Sequence, residues 1–374
     1  MHLSVAVVFV LVLTAPATAG VMEQVPAFGS NPGALAMWRY RPASPASSPA
    51  LVVVMHGCTQ DHTQAAAQGW NTLADAHGFY VVYPEQATAN NPIKCFNWAG
   101  EYGDTANLTR GQGENQSIKQ MVDRMIADHG IDPDQVYAAG FSAGAAMVPV
   151  MLATWPDVFA AGAIAAGIPY RCATTVNGAY ACQSLGTHPE LHHSASAWGD
   201  LVRAAAGAGF TGPWPRVAIF HGTTDAVVSP DNQVELIKQW TDVHGADQTP
   251  DATAMIGAHT RERYEKASRV VVESYRIDGM GHAVAMGDDP LMPCAPMGGS
   301  YIADEDLCTA ARAIDFFGIA DLGDDGDPVD PPGDDLPPGD DPGPNDPIAC
   351  GCRIQGRADG AGVLGLALVV LGVI

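Results

Sequence analysis

Apolar residues in this chain gather in short unbroken runs. Leu51-Val52-Val53-Val54-Met55 completes one over Ala50 to Met55, which stops at His56-Gly57. Similar runs cover Gly78 to Pro84, Val136 to Gly140, Ala160 to Gly167, Arg216 to Phe220 and Val270 to Ile277, the last more polar. Short runs that are apolar throughout, without alternation, predict strands buried on both faces of a parallel sheet. Between them the period becomes helical. Thr63 to Ala76 carries Trp70, Leu73 and Ala74. Gln116 to Asp128 sets Ile118, Met121, Val122, Met125 and Ile126 on one stripe and stops at His129-Gly130. Ser142 to Ala153 follows the third strand directly, and Gln233 to Val243 places Val234, Ile237 and Trp240 on one face with Leu236 beside them. Strand and helix in alternation predict an α/β fold, a mostly parallel central sheet with helices on both faces.

The ends follow different patterns. An apolar run from Val5 to Leu13 leads to Ala17-Thr18-Ala19, the pattern of a signal peptide (residues 1–19) cut after Ala19. The expected catalytic body is residues 20–320. Residues 321–347 are almost entirely Asp, Pro and Gly, an extended self-repelling linker. Residues 348–374 hold Cys350-Gly351-Cys352 and an apolar stretch from Ala361 to Ile374. This spacer, cysteine motif and apolar tail resemble the C-terminal sorting signals of myxobacterial surface proteins, which implies membrane or cell-surface anchoring.

Charge narrows the partners. The chain has 18 Lys and Arg against 41 Asp and Glu, a net −23. The linker holds ten of the aspartates and no basic residue, so the rest carries −13 (−23 plus 10). Such a balance excludes nucleic acid as a partner, since phosphate binding runs on Lys and Arg. Six cysteines lie in the body: Cys58, Cys95, Cys172, Cys182, Cys294 and Cys308. An even number in an exported chain predicts disulfides. Short-range closure favours Cys172–Cys182 and Cys294–Cys308, leaving Cys58–Cys95. No metal is expected: the body has no CxxC, and its HxxxH from His188 to His192 contains Pro189.

Candidate chemistry sits where strands end. Gly140-Phe141-Ser142-Ala143-Gly144 fits G-x-S-x-G between an apolar strand and an apolar helix, the setting of a nucleophile elbow. A serine hydroxyl needs a base, and the base an orienting carboxylate. In an α/β-hydrolase fold these follow in the order Ser, acid, His. Asp225, after the fifth strand, is the expected acid, with Asp231 and Asp242 as rivals. His282, flanked by glycines after the sixth strand, is the expected base; His56 and His221, each before a glycine at a strand end, read as structural. The amide of Ala143 opens a helix and can face a developing oxyanion, with the amide of Cys58 or Thr59 as second donor. Pro149 predicts a kink or an early end to the helix after Ser142.

Six segments carry a resemblance: His56-Gly57-Cys58-Thr59-Gln60, Tyr83-Pro84-Glu85-Gln86, Cys95-Phe96-Asn97-Trp98, Gly140 to Gly144, Trp155-Pro156-Asp157-Val158-Phe159, and His221 to Asp225. Together they resemble extracellular esterases of the polyhydroxybutyrate depolymerase type, relatives of feruloyl and acetylxylan esterases. The resemblance spans roughly residues 35–318. It implies an α/β-hydrolase fold, the Ser142–Asp225–His282 triad, an ester substrate and no cofactor. It also implies that Trp98 lies near the substrate cleft. Many such depolymerases carry a polymer-binding domain after their linker; here the linker leads to the anchor-like tail, which leaves soluble oligomers and plant-wall esters open beside the polymer. The competing readings are a surface binding module on an inactive hydrolase scaffold and a peptidase of the same fold.

Overall fold

Strands that must hide both faces need a layer of helices on each side. The computed structural model describes residues 19–100, 105–207, 209–294 and 298–322. In chain order the elements are β1 (Val21–Val25), β2 (Ala36–Arg41), β3 (Leu51–Met55), α1 (His62–Ala66), α2 (Trp70–His77), β4 (Tyr80–Glu85), α3 (Gly113–His129), β5 (Val136–Phe141), α4 (Ala143–Thr154) and β6 (Ala161–Ala165). There follow α5 (Val176–Gln183), α6 (Ala195–Ala205), β7 (Arg216–Gly222), α7 (Asp231–His244), β8 (Ala252–Ile256), β9 (His259–Lys266), β10 (Arg269–Ile277), β11 (Val284–Met286), β12 (Ile302–Asp304) and α8 (Thr309–Phe317). The signal peptide falls almost wholly outside the described residues, and the linker beyond its first two residues and the tail lie outside them.

Ten strands form one sheet in the order β1-β2-β4-β3-β5-β6-β7-β10-β9-β8. The six from β4 to β10 run parallel and are the six runs read from the sequence. Antiparallel pairs, β1–β2 and β9–β8, extend it on either side. Side chains along each inner strand divide between two cores. Leu51, Val53 and Met55 join Ile118, Met121, Leu236 and Trp240, under α3, α4 and α7. Val52 and Val54 join Trp70, Leu73, Ile314 and Phe317, under α2 and α8. Burial on both faces is thus what makes those strands continuously apolar.

Two expectations are corrected, and of the two outcomes left open at Pro149 one is excluded. Thr63 to Ala76 is two helices. Asp61 caps the first with its carboxylate, and the chain turns at Gly69 (φ +94°) before the second begins at Trp70. Val234 is 43% exposed, off the apolar face of α7, which is formed by Leu236, Ile237, Trp240 and Val243. Nor does α4 end early: it runs through Pro149 to Thr154 with every residue buried, so packing along its whole length outweighs the hydrogen bond that proline cannot make. Among the described residues no helix is long and apolar enough to cross a membrane.

Disulfides join Cys58 to Cys95, Cys172 to Cys182 and Cys294 to Cys308. The last closes a loop whose start is also clamped. Asp289, 1% exposed, takes Arg312 Nε at 2.9 Å and Nη2 at 2.7 Å, and the Cys308 amide at 2.8 Å. Asp289→Ala strips the buried guanidinium of its two-pronged partner. The expected loss is about 3–5 kcal/mol of folding stability, read from guanidinium unfolding midpoints.

Candidate active site

Parallel strands deliver their ends to one edge of the sheet. Gly140 of β5 pairs with Met55 of β3, Phe141 with Ala165 of β6, and Gly222 of β7 with Ile277 of β10. The three residues of the expected triad leave that edge within a few positions of these pairs. Ser142 is the turn itself, at φ 55° and ψ −121°, a conformation a non-glycine residue holds only when its surroundings impose it. Its amide donates to the Ala165 carbonyl at 3.0 Å, and its carbonyl accepts the Ala146 amide at 2.8 Å. A Cβ at residue 144 would collide with the carbonyl oxygens of Met55 and His56, and one at residue 140 with the backbone of Gly144. Only glycine lets the elbow cross so close beneath β3.

Asp225 sits in the turn after β7. Its Oδ1 accepts the amides of Val227 at 2.8 Å and Val228 at 2.9 Å. Its Oδ2 accepts His282 Nδ1 at 2.7 Å. A carboxylate can only accept, so the ring proton is on Nδ1, and His282 Nε2, 2.9 Å from Ser142 Oγ, is left to accept the hydroxyl. Burial alone pushes the Asp225 carboxyl up. The hydrogen bonds from His221 and His282, the charge on His282 and the Val228 amide outweigh it and hold the group well below the usual carboxylate range.

The acid and base turns are sewn together. The Thr224 amide donates to the Met280 carbonyl at 3.0 Å, and the Gly279 amide to Thr223 Oγ1 at 2.9 Å. The Thr224 hydroxyl adds a bond to the Gly279 carbonyl at 2.9 Å, so both threonines tie the turns through their side chains, which nothing in the sequence pattern singles out. His221 is fully buried, with Nε2 at 2.9 Å from the Val228 carbonyl and 3.5 Å from Asp225 Oδ2. His56 is also buried; it accepts the Gln86 amide at Nε2 and so donates from Nδ1 to the Gly57 carbonyl, and burial pushes its pKa down. The rival acids are elsewhere. Asp231 opens α7, and Asp242 binds Arg203 at 2.7 Å.

For the oxyanion, the Ala143 amide lies in the first turn of α4, where no intrahelical acceptor exists. The two candidate partners differ. The Thr59 amide is spent on the Ile93 carbonyl at 2.6 Å, whereas no carbonyl among the described residues takes the Cys58 amide. The Cys58–Cys95 bond joins the loops that follow β3 and β4. Buried Glu114 accepts the Gln86 side chain at 2.6 Å and the Asn97 amide at 2.9 Å, which orders the Cys95-to-Trp98 segment. Trp98 is 5% exposed and packs with the buried core on the α3 side of the sheet. Arg110 spans Trp155 and Asp157, so that segment is structural. Among the described residues no group of His, Cys, Asp and Glu is arranged to hold a metal; His192 binds Glu235 instead.

The esterase PHB depolymerase family model matches residues 35–265. Poly(3-hydroxyalkanoate) depolymerase C of Paucimonas lemoignei is 46% identical over 300 residues, covering 80% of this chain and 70% of that protein. Feruloyl esterase B of Talaromyces stipitatus is 36% identical, covering 70% of this chain and 72% of its own. Among solved structures, an acetyl xylan esterase from Aspergillus awamori superposes with a TM-score of 0.65 at 27% identity, over 80% of this chain and all of that one.

The depressed pKa of Asp225 carries a stability signature. A carboxyl whose pKa falls on folding stabilises the fold above its unfolded pKa and loses that contribution as the pH drops. Asp225→Asn is expected to lower stability at pH 7, with the difference from the unaltered protein shrinking below about pH 4. Denaturant midpoints at pH 7 and pH 3 measure it; a pH-independent gap would contradict this account.

Proposed function

The chain belongs to the esterase PHB depolymerase family, and from that membership we propose that it is an exported serine hydrolase that cleaves hydroxyalkanoate polyester or its oligomers through an acyl-enzyme. The observation that carries the reading is the unbroken hydrogen-bonded series Asp225–His282–Ser142 in a chain 46% identical to a poly(3-hydroxyalkanoate) depolymerase.

His282 Nε2 takes the Ser142 proton as Oγ attacks the ester carbonyl carbon. Asp225 steadies the imidazolium. The amides of Ala143 and Cys58 receive the charge that forms on the carbonyl oxygen. As the tetrahedral adduct collapses, the bond to the alcohol oxygen breaks and His282 hands that oxygen its proton. Water, deprotonated by His282, then attacks the acyl carbon, and the proton returns to Ser142 as the acid leaves. Trp98 is proposed to back the substrate cleft. The cleavage pattern at Ala19 and three disulfides support export to an oxidising compartment. The Cys350-Gly351-Cys352 motif and apolar tail suit retention at the cell surface.

A second reading, a plant-wall esterase, is favoured by the superposition on an acetyl xylan esterase. One panel separates them: amorphous polyhydroxybutyrate, methyl ferulate and acetylated xylan. The expected result is release of hydroxybutyrate, with Ser142→Ala lowering kcat/KM by about a thousandfold or more. Release of ferulate or acetate alone moves the substrate to plant-wall esters. Turnover by Ser142→Ala within about tenfold of the unaltered enzyme rejects the serine mechanism.

A further inference from the structure

We propose that Tyr301 forms the alcohol-side wall of the site, the surface on which the leaving half of the ester rests. The assignment builds on the esterase reading of Ser142, His282 and Asp225.

Three rings cluster at the base. The His282 imidazole lies 4.9 Å from the Phe141 ring and 5.9 Å from the Tyr301 ring, which meets it edge-on at 77°; Phe141 and Tyr301 are 5.8 Å apart. Phe141 is 1% exposed and closes the inner side, whereas Tyr301 is 44% exposed. A half-exposed aromatic beside a catalytic imidazole is apolar area still available for burial, with a hydroxyl at its tip. Its side of the site follows from the chemistry. The acyl half stays bonded to Ser142, while the alcohol half must depart past His282 Nε2 to collect its proton. A ring packed on His282 therefore borders the alcohol.

Tyr301 is held in place rather than left to swing. It sits at φ 67°, a left-handed conformation costly for a bulky residue. Its carbonyl accepts the Val284 amide at 2.9 Å, at the start of the parallel pairing between β11 and β12. The Cys294–Cys308 disulfide and the Asp289–Arg312 pair fix the loop on either side.

The test uses the full chain with Tyr301→Ala and Tyr301→Phe and two ester series. One keeps the acyl group as 3-hydroxybutyryl and enlarges the alcohol from methanol to a second hydroxybutyrate unit. The other keeps the alcohol and varies the acyl group. Tyr301→Ala is expected to lower kcat/KM about tenfold for the large alcohol relative to methanol, and Tyr301→Phe to stay within about twofold. Deacylation, read as the steady rate after a burst, should be unchanged, because the alcohol has already left. An equal loss across all alcohols, or slower deacylation, would show that Tyr301 only props His282 and would overturn the assignment. A loss that follows the acyl group would overturn it as well. Absence of Ser142-dependent turnover in the unaltered enzyme would reject the esterase reading, and the assignment with it.

Discussion

No side chain fits at residue 144. The carbonyl oxygens of Met55 and His56 occupy the space a Cβ would need, so the first turn of α4 lies against the end of β3. Much else follows from that contact. It registers the elbow that carries Ser142 against the loop that carries Cys58, which brings together the loops proposed to hold both oxyanion donors. On the opposite flank Gly222 is equally crowded, by the carbonyls of Met280 and Gly281, which registers the acid turn against the base turn. Two crossings without side chains thus bring three separate strand ends to one point. The strain held at Ser142 is tolerated because its neighbours on both sides are fixed.

The inner sheet was legible because its strands are buried on both faces and read as mostly apolar runs, with β10, which carries Glu273, Ser274 and Arg276, the most polar of them. The outer strands were not. β9 reads His-Thr-Arg-Glu-Arg-Tyr-Glu-Lys and β2 Ala-Met-Trp-Arg-Tyr-Arg, and both leave residues part-exposed. Their apolar signal is diluted at the sheet margin. The break at Gly69 was hidden because a lone glycine within an apolar period is compatible with a continuous helix. At the site, Ser142, Asp225 and His282 stood out because each follows a recognisable strand. Tyr301 did not, since it lies far along a loop and meets His282 only through a disulfide and a short strand pair. The choice between Cys58 and Thr59 needed coordinates, because it depends on which amide already has a carbonyl.

The three disulfides share a location. Cys58 and Cys95 lie on the loops after β3 and β4, Cys172 and Cys182 on the connection after β6, and Cys294 and Cys308 on the one after β10. All are connections that leave the functional edge of the sheet. The strands themselves are held by apolar packing on both faces and need no covalent help. Loops at the rim lack that packing, and cross-linking limits the shapes they can take.

Cohesion and competence therefore rest on different bonds. With the disulfides reduced, the two-sided packing of the sheet would persist, while the loops that carry the Cys58 amide and Tyr301 would lose their covalent fastening.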